Sequence, residues 1–251
     1  MFEKRLRMFA GPNGSGKSTV YRSLKDKFNI GTYVNADDIE KDLTNSTEFQ
    51  ISKYGIKKNT TSKEFSSFID NHTLFKKAND DGFIIDLKLE NGIILNPNIK
   101  THSYEASILA DFIRNELINN GKKLTFETVM SHSSKIETLK KSKENGYKNY
   151  LYFISTESVE INKQRVDERV KNGGHPVPLN KIEDRYYKSL EYLMEAIQYT
   201  HRTFIFDNSG TESKLILDIY KGETITIQSD FIPVWIDKYL LKTAHNNVYK
   251  K

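Results

Sequence analysis

The apolar positions of this chain fall into short runs whose spacing alternates between strand-like and helix-like. Leu6-Arg7-Met8-Phe9-Ala10 predicts a short buried strand, and Val20, Tyr21, Leu24 and Phe28 predict a helix over Thr19 to Phe28. Thr32-Tyr33-Val34-Asn35 reads as a second strand that runs into Ala36-Asp37-Asp38, with a helix beginning near Ile39. The stretch from about Leu43 to Lys63 is polar and irregular. Beyond it, Phe83 to Leu89 and Gly92 to Leu95 flank an Asn91-Gly92 turn, which predicts a hairpin. Residues 44–101 therefore read as an insertion with its own small hairpin. Asp86, which ends an apolar run, then falls mid-strand rather than at a metal-binding strand end.

The alternating rhythm resumes with a helix over Tyr104 to Asn119, stopped by Gly121, and a strand over Leu124 to Glu127. A helix over Ser133 to Glu144, a strand over Tyr150 to Ile154 and a helix over Val159 to Val170 follow. After the loop Asn172 to Pro178 come a helix over Lys181 to Tyr199 and a strand over Thr203 to Asp207. Residues 211–251 read as an extension, with a hairpin about Lys221-Gly222-Glu223 and a short helix after Pro233. Alternating strands and helices predict an α/β fold, a mostly parallel sheet flanked by helices, in a single domain over 1–251.

Composition narrows the partners. Among 251 residues there is no cysteine, so disulfides and thiolate metal sites are excluded. No apolar run reaches membrane-spanning length, and Met1 to Phe9 is too short and too charged for a signal peptide; a cytoplasmic protein with no membrane partner is expected. The net charge of +5 suits acidic small ligands such as nucleotides and nucleotide sugars. Nucleic acid is less well supported, because the lysines are scattered; the cluster Lys140, Lys141, Lys143 reads as a solvated helix face.

Between the first strand and the first helix stands Gly11-Pro12-Asn13-Gly14-Ser15-Gly16-Lys17-Ser18, followed by Thr19. A glycine-rich loop in that position presents backbone N–H groups at a helix N-terminus, a cradle for a polyphosphate. Lys17 is expected to reach the β- and γ-phosphates, and the Ser18 hydroxyl to bind Mg²⁺. No guanine-reading Asn-Lys-x-Asp is present, which favours ATP over GTP.

Ligands of such sheets sit beyond the carboxyl ends of the strands, so strand ends carry the candidate chemistry. Asp37 could take the proton of a substrate hydroxyl during phosphoryl transfer or serve a metal, or it could cap the next helix; Asp38 is the better cap. Glu127 and Thr128, at the end of the Leu124 strand, are placed to bind substrate hydroxyls. Arg165 and Arg169 lie four apart on one helix, and Arg185 on the next, with Gly173-Gly174-His175-Pro176 between them. Arginines on a closing lid, hinged at the glycines, would stabilise the charge of a transferring phosphoryl group. His175 is a candidate contact to substrate or nucleotide. Asp207 and Asn208 read as turn formers or base-edge contacts. Three functions remain open on these residues: a metabolite kinase, a nucleotide-dependent switch or ATPase module, and a nucleic-acid end kinase.

Taken together, the loop Ala10 to Thr19, Asn35-Ala-Asp-Asp38, Phe126-Glu-Thr-Val-Met-Ser-His132, Arg165 to Arg169, Gly173-Gly-His-Pro-Val-Pro178 and Phe206-Asp-Asn-Ser209 resemble the zeta-toxin family of P-loop kinases, in its broad ATPase-like bacterial branch. The resemblance covers residues 1–43 and about 103–210. It implies an ATP- and Mg²⁺-dependent kinase of UDP-N-acetylglucosamine or a related nucleotide sugar, with a small helical antitoxin as partner. In that likeness Asp37 is the general base, Glu127 and Thr128 contact substrate, and Arg169 is a lid arginine. The family's second lid arginine is missing from Gly174-His-Pro-Val-Pro178, so Arg185 or His175 takes that role or it is lost. The 44–101 segment is expanded where the family places substrate recognition.

Overall fold

The computed structural model describes residues 3–56, 60–97, 103–174 and 176–242. In chain order, β1 (Arg5–Ala10) leads to α1 (Lys17–Leu24), β2 (Thr32–Val34), α2 (Ala36–Asn45) and β3 (Glu48–Gln50). Then come α3 (Ser62–Asp70), α4 (Thr73–Asp80), β4 (Lys88–Glu90), β5 (Ile93–Leu95) and α5 (Ser103–Asn119). The remainder is β6 (Leu124–Thr128), α6 (Ser134–Glu144), β7 (Lys148–Ser155), α7 (Val159–Lys171), α8 (Leu179–Glu191), α9 (Leu193–Gln198), β8 (Arg202–Asp207), β9 (Lys214–Tyr220), β10 (Thr224–Ile227) and α10 (Val234–Ile236). The chain divides into two compact units, one of Met1–Ile30 with Thr125–Lys251, the other of Gly31–Leu124.

In the first unit the strands follow the order β10-β9-β8-β7-β1-β6. β1, β7 and β8 run parallel, with Ala10 opposite Phe153 and Ser155 opposite Asp207. Their carboxyl ends therefore fall along one edge of the sheet, and the loops leaving them can meet. Leu6, Met8, Phe9, Leu151, Phe153 and Ile205 are fully buried, as strands covered on both faces require. β9 and β10 close the order as the antiparallel hairpin that the Lys221-Gly222 turn predicts. This is a parallel-dominated sheet flanked by helices, of the P-loop kinase type.

The second unit has a core of its own. β3, β5 and β4 form a three-stranded antiparallel sheet, with Phe49 opposite Ile94 and Leu89 opposite the same residue on the other side. Phe65 of α3 meets Phe112 of α5 edge to face, ring centroids 4.8 Å apart. A capping box at Thr61 and Glu64 starts α3. Both α3 and α4 lie where the periodicity alone gave no helix. β3 replaces part of the expected irregular stretch; with a single buried residue, Phe49, it is too short to show a period. The Asn91-Gly92 hairpin is present but short. Residues 83–87 belong to no strand, so Asp86 precedes the hairpin, 3.3 Å from Lys88, instead of lying mid-strand. Among the described residues no helix is long and apolar enough to cross a membrane.

One buried polar side chain ties three elements of the first unit together. Asn149 of β7, 1% exposed, donates to the carbonyls of Leu139 (2.7 Å) and Tyr199 (2.9 Å) and accepts from the Ser142 hydroxyl (2.8 Å). Asn149→Leu strands those partners in the core, and the expected loss is about 2–4 kcal/mol, read as a lower urea midpoint at unchanged slope. A midpoint unchanged from wild type would contradict this role.

Candidate functional site

β1 delivers the chain, fully buried as far as Ala10, to the loop Gly11–Ser18. The loop turns by left-handed backbone at Gly14 (φ 75°) and at Gly16 (φ 91°), the latter immediately before α1. A Cβ at Gly16 would stand 2.1 Å from Asn208 Nδ2, and one at Gly14 would stand 2.6 Å from the Asn162 carbonyl oxygen. Glycine is required at both places by contact as well as by φ.

Those two asparagines hold the loop. Asn208, in the segment leaving β8, donates from Nδ2 to the Ser15 carbonyl at 2.8 Å. Its own N–H donates to the Ser155 carbonyl at the end of β7, also at 2.8 Å. Asn162 of α7, fully buried, donates to the Asn13 carbonyl at 2.5 Å and accepts from the Thr156 hydroxyl. Tyr186 of α8 donates to the Thr156 carbonyl at 2.7 Å, and burial pushes its phenol pKa upward, so the donor keeps its proton. Arg165 is engaged in the same scaffold: its guanidinium donates to the carbonyls of Asn208 (2.7 Å) and Gly210 (3.0 Å). Arg185 approaches Asn13 Oδ1 at 3.5 Å.

α1 starts at Lys17 with no side-chain cap and no acidic residue in its first turn, so the positive end of the helix faces the loop unneutralised by a side chain. The Ser15 hydroxyl is buried with no hydrogen-bond partner. Lys17 Nζ donates to the carbonyls of Gly11 (2.9 Å) and Pro12 (2.8 Å), folded over the loop it would serve. The Ser18 hydroxyl donates to Glu127 Oε2 at 2.7 Å. A carboxylate on the P-loop serine is suited to a hydrated divalent cation beside a triphosphate. An uncapped helix N-terminus, an orphaned buried hydroxyl and a Ser–Glu pair beside the loop lysine together fit a Mg²⁺–nucleotide. Among the described residues no group of three or more His, Asp or Glu side chains could by itself hold a metal.

The other expected residues are distributed as follows. Pro12 is buried and Thr19 exposed on α1. Thr128 sits at the end of β6 and accepts from the Met130 N–H at 3.3 Å. Arg169 lies on the exposed side of α7, one turn beyond Arg165. Gly173 and Gly174 end that helix in a Schellman arrangement, Gly174 N–H to the Arg169 carbonyl at 2.9 Å and Gly173 N–H to Val170 at 2.9 Å. His175 lies outside the described residues. Asp37 belongs to the second unit, exposed on the first turn of α2. Its N–H is capped by Asn35 Oδ1 at 2.8 Å; the cap of α2 is therefore Asn35, where the sequence favoured Asp38. The sequence presents Asn208 as a turn former or base contact, whereas the structure uses it to hold the Ser15 carbonyl; Asn162 carries no sequence signal, since one polar residue in a polar helix looks like surface.

Comparison with known proteins follows the same outline. The zeta toxin family model matches residues 96–216, which hold Glu127, Asn162, Arg165 and Asn208. An uncharacterized protein of Haemophilus influenzae is 40% identical over 60 residues, 24% of this chain and 43% of its own length. Among solved structures, a chain of the AvrRxo1-ORF1:-ORF2 complex with ATP superposes with a TM-score of 0.55 at 16% identity, over 90% of this chain and 61% of that one. A more distant likeness, TM-score 0.49 at 12% identity over 100% of this chain and 88% of the other, is to the PezAT chromosomal toxin-antitoxin system of Streptococcus pneumoniae, and no part of the fold assignment rests on it. The chain thus spans less than two thirds of the length of the first two relatives. Residues 96–216 are thus similar to the zeta toxin family, and the fold of the chain is similar to that of the AvrRxo1-ORF1:-ORF2 chain.

Proposed function

We propose that the protein is an ATP-dependent phosphotransferase that moves the γ-phosphoryl group of ATP to a hydroxyl of a small molecule, a nucleotide sugar of the UDP-N-acetylglucosamine type. The observation that carries the reading is the Ser18–Glu127 hydrogen bond at the mouth of a braced, uncapped P-loop. The solved neighbour with ATP supports the choice of nucleotide. Its two-component make-up, and the zeta toxin match, support a protein partner of antitoxin type.

In this reading the amides of Gly14 to Ser18 bind the phosphates, and Lys17 exchanges its two loop carbonyls for β- and γ-phosphate oxygens. Mg²⁺, held by Ser18 with Glu127 behind it, supplies positive charge to those oxygens when bound. Asp37 accepts the proton of the attacking hydroxyl as its oxygen bonds to phosphorus and the bond to the ADP oxygen breaks. Arg169 supplies charge to the equatorial oxygens, with Arg185 the candidate second arginine. Arg165 keeps the loop after β8 in place, as its two backbone contacts already do. Thr128 and His175 complete the substrate contacts.

The reading is tested by incubating the protein with ATP, Mg²⁺ and a panel of nucleotide sugars, nucleosides and oligonucleotides, with mass spectrometry to find which gains a phosphate. A nucleotide sugar is the expected acceptor; slow ATP hydrolysis with no acceptor would favour a switch instead. Asp37→Asn is expected to lower turnover by roughly 10²–10⁴-fold with ATP affinity within about twofold of wild type. Unchanged turnover removes Asp37 as the base. Asn208→Ala releases the Ser15 carbonyl and should weaken ATP about tenfold by calorimetry, near 1.4 kcal/mol. Glu127→Gln should raise the Mg²⁺ concentration needed for half-maximal ATP binding; an unchanged requirement would remove Glu127 from the metal site.

A further inference from the structure

β10 is the outermost strand of its sheet, and among the described residues nothing pairs with its outer edge. Its four residues, Thr224-Ile225-Thr226-Ile227, are all exposed and include neither charge nor proline. Edge strands are usually guarded by such residues; this one is not. Ile225 lies opposite Ile219 and Ile227 opposite Leu217, so the two isoleucines extend a face that is buried on β9. Ile219 and Leu217 are 1% and 0% exposed, whereas Ile225 and Ile227 are 39% and 56% exposed. An apolar sheet face runs on past β9 and ends uncovered.

We propose that β10 is the edge through which two copies of this chain pair, strand to strand and antiparallel, about a two-fold axis at Thr226. Pairing about such an axis sets residues of the same face opposite one another, so only registers of matching parity are allowed. With Thr226 opposite itself, Ile225 of each copy faces Ile227 of the other, and the apolar face becomes continuous across both sheets. Shifting the axis to Ile225 would set Ile227 against Glu223, a carboxylate on an apolar face. An isologous contact of this kind uses both free edges and closes, so no further copy can add. A second copy is thus a better occupant than an unrelated strand: in this register the strand is its own complement, isoleucine against isoleucine on the apolar face.

The contact is small, and the expected dimer is weak, with a dissociation constant on the order of tens of micromolar. Sedimentation velocity on the full chain should show a shift from monomer to dimer as concentration rises. Ile225→Lys combined with Ile227→Lys sets lysines against lysines in the proposed register and should leave a monomer at every concentration, with thermal unfolding unchanged because both side chains are exposed. The chain has no cysteine, so a single introduced thiol reports register without ambiguity. Thr226→Cys should form a covalent dimer under diamide at least about tenfold faster than Thr224→Cys, since only residue 226 lies opposite itself. Wild-type protein that stays monomeric to about 200 μM overturns the proposal, as do equal cross-linking rates for the two cysteine variants. Neither result bears on nucleotide transfer, which rests on other residues.

Discussion

Two side-chain amides, those of Asn162 and Asn208, fix the shape of the P-loop, and the candidate site depends on that shape. A loop that must aim its N–H groups at phosphate leaves its carbonyls pointing away, toward the sheet and helices, where they need donors. Asn162 supplies one to Asn13 and Asn208 supplies one to Ser15. Each amide is itself held: Asn162 by the Thr156 hydroxyl, Asn208 through its backbone by Ser155 and Arg165. The scaffold reaches the loop from the ends of β7 and β8 and from α7, so the parallel register of those strands with β1 is what makes the contact geometrically available. It also explains why glycines stand at 14 and 16, where the asparagines press against the loop from outside.

Arg165 illustrates how this scaffold redistributes roles. As a sequence feature it forms a pair with Arg169, and a lid of two arginines is the natural reading. In the structure its two terminal guanidinium nitrogens donate to the main-chain carbonyls of Asn208 and Gly210, so its charge lies against the loop after β8. α7 thereby turns Asn162 and Arg165 toward the P-loop and the segment after β8, while Arg169 lies on the exposed side a turn later. The Schellman end at Gly173 and Gly174 fixes where the helix stops and the loop beyond it begins.

The first unit was largely legible in the sequence because its strands are buried on both faces and its helices are amphipathic, with turns marked by Gly146 and Gly222. The P-loop was legible because its chemistry requires glycine and lysine at fixed spacing. What escaped were residues whose role is set by distant partners. Asn208 lies 193 positions from the carbonyl it holds, and Asn162 lies 149 from its own. No local pattern distinguishes such an amide from a surface residue. In the second unit β2, α2, α5 and the Asn91-Gly92 hairpin were legible, whereas α3 and α4 were not, and β3, three residues with only Phe49 buried, is too short to show a period.

That second unit closes its own core around Phe65, Phe112 and Ile94. The bonds from Asn162, Asn208 and Arg165 that shape the P-loop and the segment behind it run within residues 1–30 and 125–251. The zeta toxin match begins at residue 96, so within this unit it takes in α5 but not β2 to β5, and it leaves out the P-loop.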